Sequence, residues 1–237
     1  MAGTVTRRTM LGAGLLALAG VGGAGGYGVG LFLTKEPSVA GTAAPLAVNL
    51  PASSATPTPT PPLRKVTHDD SPALRADDLR YATRSFTVSD QLKSRITVRV
   101  PADWAYTKQT PPKSGRFTDR TKKRWIRIEA GFPITRPPAE SMALREQQLA
   151  AVSPSQMVKI LSSDVDDRSA TLTYSYVPDE ELSPRGILRY VIVRWVADDS
   201  GNCAVEMSST GLPQDKDALL DVLDRATSTI ERHDSEL

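Results

Sequence analysis

The longest apolar run of the chain lies near its start, at residues 10–33, and contains no charged side chain. A helix over this run would be about 36 Å long at about 1.5 Å per residue, which covers the roughly 30 Å hydrocarbon core of a bilayer. Arg7 and Arg8 precede the run, whereas the lysine that closely follows it is offset by a glutamate. Because basic residues favour the cytoplasmic side, the pattern predicts a cytoplasmic N-terminus over residues 1–9, a single-pass transmembrane anchor over 10–33, and an extracytoplasmic remainder.

A cleaved secretory signal is the alternative for the same segment. An arginine pair before a glycine-rich apolar run is typical of twin-arginine signals, and the small residues at 38–40 offer a cleavage site. Glycine also weakens helix propensity. Signal h-regions are about 7–15 residues long, however, and this run is longer, which favours a retained anchor. Under either interpretation the rest of the chain is exported, tethered to the membrane if the segment is retained and secreted if it is cleaved.

Residues 34–84 have the composition of a spacer. Alanine, threonine, serine and proline dominate its first part, and threonine alternates with proline over residues 56–62. Repeated proline removes backbone donors and disfavours helix, and few apolar groups are available to offset the entropy of ordering. We therefore predict a Pro/Thr/Ala-rich disordered linker over residues 34–84, with a short helix at the start of its charged part, residues 69–84.

Past residue 84 the pattern changes to short runs in which apolar and polar residues alternate. Ile96, Val98 and Val100 alternate with polar residues, and this period of two is typical of a strand with one buried face. The run at 186–197 is apolar on both faces, as a central strand would be, and the residues at 199–202 predict a hairpin turn after it. In chain order, the predicted strands cover residues 96–100, 126–130, 155–162, 170–177, 186–197 and 202–208.

Two helices complete the predicted fold. We expect the first over residues 137–151, opened by its prolines, with Met142, Leu149 and Val152 facing inward. The second covers residues 215–230 and carries an apolar stripe at helical spacing. That stripe consists of Leu219, Leu220, Leu223, Ala226 and Ile230. Consecutive strands joined by short turns favour antiparallel pairing, so the predicted class is α+β, an antiparallel sheet flanked by helices.

The order of these elements resembles that of a known family. The alternating strand at 96–100 runs into a Pro-x-x-Trp motif formed by Pro101 and Trp104. A basic loop, the strand at 126–130, a helix, a strand meander and a terminal amphipathic helix follow. In this order, residues 85–233 resemble the PsbP/LpqN-like domain of the bacterial cell envelope. The resemblance implies an α/β/α sandwich without catalytic residues, but the lipidated cysteine of that family is absent here. Because one fold hosts many functions, the resemblance transfers no activity.

Composition places few constraints on function. The chain has 237 residues and a net charge of +2, so no nucleic-acid-binding character follows, and the predicted export further disfavours nucleic acid. The globular part, residues 85–233, amounts to about 150 residues, the usual size of one domain. Cys203 is the only cysteine, which excludes an internal disulfide. It alternates with Val205 and Met207, so we predict that the three share one face and that Cys203 is a small core residue rather than a reactive thiol.

The sequence contains no recognisable catalytic or metal-binding motif. The two histidines, His68 and His233, lie in the predicted linker and in the C-terminal tail, where neither nucleophilic catalysis nor a zinc site is expected. The acidic clusters at 164–167, 179–181 and 198–199 lack the spacing of a calcium loop. Nucleophile-elbow, phosphate-loop and paired-cysteine motifs are also absent. We therefore predict a non-enzymatic domain with no catalytic residue, no metal and no cofactor.

A basic segment over residues 108–127 is the feature that rises above this background. It contains a single acid, Asp119, and one tryptophan, Trp125. If residues 111–124 form a loop between strands, its charges crowd one edge of the domain. There they would attract anionic lipid head groups, acidic wall polymers or an acidic protein, with salt-sensitive affinity. An ordinary solvated loop is the alternative. The candidate binding residues are Lys113, Arg116, Arg120, Lys122, Lys123, Arg124 and Arg127.

The sequence thus leads to one main functional hypothesis. We expect a non-enzymatic domain, tethered to the cell membrane through residues 10–33, that binds an envelope component or a partner protein through this basic edge. A ligand-sensing accessory domain, with a pocket between sheet and helices, is the alternative.

Overall fold

The computed structural model describes residues 64–90, 92–110, 112–132 and 135–235. The predicted cytoplasmic N-terminus, the predicted transmembrane segment at 10–33 and the Pro/Thr-rich part of the linker lie outside these residues. Among the described residues, no helix is long and apolar enough to cross a membrane.

Strands form most of the described fold, with two α-helices. The strands are β1 (Tyr81–Ser89), β2 (Lys93–Pro101), β3 (Ala105–Lys108), β4 (Ser114–Thr118), β5 (Trp125–Ala130), β6 (Lys159–Val165), β7 (Ser169–Tyr176), β8 (Arg189–Ala197), β9 (Cys203–Gly211) and β10 (Glu231–Ser235). The helices are α1 (Pro138–Ala150) and α2 (Lys216–Thr227), and short 3₁₀ turns at Ala76–Asp78, Pro154–Gln156 and Pro213–Asp215 precede β1, β6 and α2.

The strands form two antiparallel sheets. Strands β1, β2 and β10 make a three-stranded sheet with β2 in its centre, and the others make a seven-stranded sheet in the order β3-β4-β5-β9-β8-β7-β6. The predicted α+β class with antiparallel pairing is confirmed. The expectation of one sheet is wrong, because β2 pairs with β1 and β10 and not with any strand of the seven-stranded sheet.

The seven-stranded sheet is the central layer. One of its faces packs on α1 around Met142, Leu149 and Leu172. The other face packs on the three-stranded sheet and α2, and this core includes Ile96 and Ile126. Full burial of such a side chain is worth roughly 1.5–3 kcal/mol, so the two cores dominate the stability of the domain.

Four strands were not predicted: β1, β3, β4 and β10. Strand β4 lies inside the segment predicted as a basic loop, where Gly115 and Phe117 face the core. Glycine is depleted in strands, so its presence hid the alternation. The structure gives its reason: a Cβ at position 115 would lie 2.4 Å from a ring carbon of Phe86.

The predicted strand at 155–162 begins later in the structure. Pro154 opens a 3₁₀ turn, and the Ser153 side chain accepts a hydrogen bond from the backbone N–H of Ser155 at 3.4 Å. Met157 then adopts a left-handed conformation with φ of 49°. This turn prevents strand pairing until Lys159.

The second helix confirms the predicted apolar stripe only in part. Leu219, Leu223 and Ala226 are buried, but Leu220 is 41% exposed. Val222 is buried in its place, because the helix presents positions 218, 219, 222, 223 and 226 to the sheet.

A β-bulge changes the predicted orientation of Cys203. In the β8–β9 ladder Val196 pairs with Val205 and Ala197 pairs with Cys203, which leaves Ala204 as the additional residue. Cys203 therefore faces α1, whereas Val205 and Met207 face the opposite core, and the predicted shared face is wrong. Cys203 is buried, as predicted.

Residues 64–75, here called the N-terminal strap, run along the domain although they were predicted as linker. Thr67 donates its backbone N–H to the Gly186 carbonyl at 3.0 Å and forms a parallel bridge with Ile187. Asp69 is buried, and Leu74 donates its N–H to Asp215 at 2.7 Å. Residues 64–84 therefore belong to the described domain, because polar contacts distant in sequence hold the strap and because Leu74, Leu79 and Tyr81 pack against the core.

Candidate anion-binding site

The seven predicted binding residues do not form one basic edge. Four of them are held in ion pairs inside the domain, two are exposed in the β4–β5 turn, and one lies on the sheet face beside a tryptophan. The four paired residues are Lys113, Lys123, Arg124 and Arg127. Acids distant in sequence neutralise these four, which argues against their use in binding, although the predicted binding itself stays a prediction.

Arg124 is the most deeply held of the four. Its Nε and Nη2 atoms donate to the two carboxylate oxygens of Asp215 at 2.8 and 2.9 Å, and Nη2 also donates to the Pro72 carbonyl at 2.6 Å. Asp119 lies 3.4 Å from Nη1. Burial by itself would lower the pKa of Arg124, but the hydrogen bond and charge of Asp215 outweigh it and raise that pKa. Arg124 therefore stabilises the domain and is not available to a partner.

Lys113 and Lys123 also form salt bridges, nearer the surface. Lys113 pairs with Asp90 at 2.9 Å, and Lys123 pairs with Asp69 of the N-terminal strap at 2.9 Å. These contacts join the β3–β4 connection to the β1–β2 connection and the β4–β5 turn to the strap.

Arg120 and Lys122 remain exposed at the tip of the β4–β5 turn. Lys122 has a positive φ of 59°, which suits a tight turn. Arg120 lines an open cleft of about 460 Å³ together with Trp104, Asp103 and Arg80. Because acids and bases both line this cleft, it has no strong preference for one sign of charge.

Arg116 lies on the α1 side of the seven-stranded sheet, beside Trp125. The Cζ atom of Arg116 is 4.3 Å from the centroid of the Trp125 ring, and the Cζ atom of Arg189 is 5.6 Å from it. Strand register explains the grouping: Trp125 pairs with Thr118 of β4, two residues along from Arg116, while Arg189 begins β8 on the far side of β9. We call Arg116, Trp125 and Arg189 the arginine–tryptophan site.

Both guanidinium groups are half-buried and lack a carboxylate partner within the described residues. Arg116 donates from Nε to the Thr118 hydroxyl at 3.1 Å, and Arg189 donates from Nη1 to the Lys123 carbonyl at 3.0 Å. Neither forms a salt bridge with a described acid. An arginine has five N–H donors, so most donors at the site are directed to solvent or to a ligand.

Electrostatics distinguishes these two arginines from surface residues. Burial lowers the pKa of Arg116, and the nearby charges of Arg127 and Arg189 add to this effect. Burial also lowers the pKa of Arg189, although the charges of Tyr176, Asp69, Asp119 and Asp215 counteract it. The Tyr176 hydroxyl lies near both arginines, and burial raises its pKa. Two desolvated positive charges near each other are unfavourable unless an anion binds, and guanidinium groups recognise phosphate and carboxylate through paired hydrogen bonds.

A buried ion cluster adjoins the site on the same sheet face. Glu206 accepts from Arg127 at 2.9 Å, from Arg145 of α1 at 3.0 Å and from the Trp195 indole at 2.9 Å. Burial by itself would raise the pKa of Glu206, but Arg145, Arg127 and the indole outweigh it and lower that pKa.

Glu129, directly opposite Glu206 across the β5–β9 ladder, behaves differently. Its pKa is raised by burial and by the charge of Glu206, although Arg127 counteracts both. The cluster is thus internally compensated, unlike the arginine–tryptophan site next to it.

The sequence identified Arg116 and its tryptophan neighbour but missed Arg189. The available signal was that Arg189 is one of two arginines in the largely apolar run at 186–197, where a charged residue costs free energy unless it has a partner or a role. Within the part of the chain that the structure describes, no group of three or more His, Cys, Asp or Glu side chains is positioned to hold a metal ion.

Comparisons of the chain with known protein families, with curated proteins and with solved structures found no match, so the arrangement of Arg116, Trp125 and Arg189 is the principal guide to function.

Proposed function

We propose that the domain is a non-enzymatic binding module of the cell envelope, tethered by residues 10–33, that binds an anionic group of an envelope component at the arginine–tryptophan site. The observation that carries this proposal is the pair of half-buried arginines, Arg116 and Arg189, beside one tryptophan and without a carboxylate partner among the described residues. We also propose that the domain belongs to the PsbP/LpqN-like family.

The pairing of the basic residues supports binding at the arginine–tryptophan site rather than along the whole predicted basic edge. The other six candidate residues either pair with acids or lie in a solvated turn, where each contributes little to specific binding. An anion at the arginine–tryptophan site would instead be bound in a partly desolvated place, where charge-assisted hydrogen bonds are worth about 1.5–3 kcal/mol each. Loss of one arginine is therefore expected to weaken binding by about 10–100-fold.

The test is a titration of the full-length chain with inorganic phosphate, followed by tryptophan fluorescence, since Trp125 lies at the site. Arg116→Gln and Arg189→Gln should each weaken binding by about 10–100-fold. Arg120→Gln removes the same charge from the exposed turn and should leave the affinity unchanged. The same three variants are then compared for co-sedimentation with envelope membranes from cells that express the chain.

Equal weakening by Arg120→Gln and Arg116→Gln would show that only net charge matters and would contradict a specific site. A full-length chain that binds neither phosphate nor envelope membranes would overturn the proposal as a whole. The tether is tested separately, by protease treatment of sealed cells: an exported domain is digested without lysis, and a domain protected until lysis would contradict export.

A further inference from the structure

Strand β6 forms one edge of the seven-stranded sheet. It pairs with β7 on one side, and its other side has no partner strand among the described residues. All seven residues of β6, from Lys159 to Val165, are exposed. The backbone N–H and C=O groups on the outer side are therefore available to another strand.

This edge is also unusually apolar for a solvated strand. Ile160 is 42% exposed, Leu161 is 44% exposed and Val165 is 57% exposed, and Leu144 of the neighbouring helix α1 is 37% exposed. Long, exposed apolar edge strands usually either aggregate or pair specifically, so the arrangement of charges along β6 decides between these outcomes.

A bulge sets the orientation of those charges. Ile160 pairs with Tyr174 and Ser162 pairs with Thr173, which leaves Leu161 as the additional residue. Positions five apart in a regular strand point to opposite faces. Here the bulge brings Lys159 and Asp164 to the same face, since they pair with Ser175 and Thr171 on one side of β7.

We propose that β6 pairs antiparallel with β6 of a second copy of this chain around a two-fold axis. In the register that places Lys159 opposite Asp164 of the second copy, symmetry repeats the ion pair on the other side of the axis. The same register places Val158 opposite Val165. Both of these lie on the α1 side of the sheet, where Val158 packs against the core and Val165 pairs with the core residue Ala170.

The self-complementarity of the strand is the reason to choose a second copy over an unrelated peptide. On each side of the two-fold axis, Lys159 of one copy lies opposite Asp164 of the other copy. Val158 lies opposite Val165 at the next position outward from the axis. Neither Lys159 nor Asp164 forms a salt bridge within the described domain, so both charges are free to pair between copies. The product is one continuous sheet across two domains, with each exposed edge covered by its equivalent.

A site-specific crosslink tests the proximity. Ser162 is exposed and lies next to the proposed axis, so the full-length Ser162→Cys variant, solubilised in mild detergent, should form a disulfide-linked dimer under copper-catalysed oxidation. Cys203 is buried and does not compete. Thr83→Cys, at an exposed position of β1 in the other sheet, is the matched control.

Charge exchange tests the register. Lys159→Asp places like charges opposite each other at two symmetric positions, and Asp164→Lys does the same with the opposite sign. Each single variant should weaken dimer formation about tenfold, and the double exchange should restore it. Light scattering of the uncrosslinked full-length chain across a concentration series measures this effect.

Crosslinking of Ser162→Cys above the Thr83→Cys control, together with rescue by the double exchange, supports the proposal. Crosslinking no greater than the control overturns it, even if the chain is dimeric through another surface. Two single reversals that weaken the dimer without rescue in the double variant overturn the register and with it this self-pairing.

Discussion

Removal of the buried charge pair between Arg124 and Asp215 is the most direct way to test how the domain is held together. Asp215 is fully buried, and its carboxylate accepts two N–H groups of Arg124 at 2.8 and 2.9 Å. It also accepts the backbone N–H groups of Leu74 at 2.7 Å and Leu212 at 3.0 Å. This carboxylate thus joins the end of the β4–β5 turn, the N-terminal strap and the turn before α2.

The expected loss of unfolding free energy is large because each single variant leaves one buried charge without its partner. Arg124→Met keeps an apolar chain of similar length but leaves the Asp215 carboxylate buried with two backbone donors. Breaking a buried ion pair in this way costs about 3–5 kcal/mol, against a total stability of about 5–15 kcal/mol for a domain. Asp215→Asn keeps the shape but leaves Arg124 buried beside Asp119 alone, at 3.4 Å, so we expect a similar cost.

The double variant separates electrostatics from packing. Because Arg124→Met with Asp215→Asn strands neither the Arg124 guanidinium nor the Asp215 carboxylate, its cost should be close to that of one single variant rather than to their sum. Urea unfolding of the full-length chain, followed by circular dichroism, gives the free energies. Arg120→Met, in the exposed turn, is the control and should change stability by no more than about 0.5 kcal/mol. Additive single costs, or a loss below about 1 kcal/mol for Arg124→Met, would refute the reasoning.

Three further outcomes are expected. Gly115→Ala should destabilise the domain by about 1–3 kcal/mol in urea unfolding, because its Cβ would lie 2.4 Å from the Phe86 ring, and an unchanged midpoint would contradict that close contact. Hydrogen bonds from Ser71 and Lys123 hold the pKa of Asp69 well below its ordinary value, so its contribution to stability is present above about pH 4 and is lost as the pH falls toward the folded-state pKa. Asp69→Asn should therefore flatten the loss of stability between about pH 5 and pH 3, whereas a slope equal to that of the unmodified chain would contradict the shift. Burial raises the pKa of Cys203 to about 12, so a thiol reagent at pH 8 should label it only after denaturation, and rapid labelling of the native chain would show that the thiol is accessible.

Hydrophobic periodicity in the sequence correctly predicted those strands and helices that bury one regular face. The alternation at 96–100 identified β2, and the proline-rich start at 137 identified α1, because one buried face is visible in the spacing of residues. The same reasoning failed for β4, whose Gly115 makes room for an aromatic ring from another sheet. A contact of that kind is set by packing between layers and leaves no periodic signal.

In the candidate site as well, the features set by neighbouring residues were predicted, and the contacts between residues distant in sequence were not. Composition alone revealed the basic segment, but its acids lie far away in sequence: Asp215 is 91 positions from Arg124, and Asp69 is 54 positions from Lys123. These partners decide which charges are neutralised. Arg189 joins the site for the same reason, since strand order rather than sequence distance brings it near Trp125.

The N-terminal strap determines how mechanical tension would enter the domain. Its contacts follow one another in chain order, from Arg64 at the Pro178 and Ser183 carbonyls to Asp69 at Lys123 and Leu74 at Asp215. We therefore expect a pull from the preceding residues to break these contacts in chain order before tension acts on β1. On that order, the strap would detach at a lower force than the two sheets, whose strands are joined by many hydrogen bonds at once.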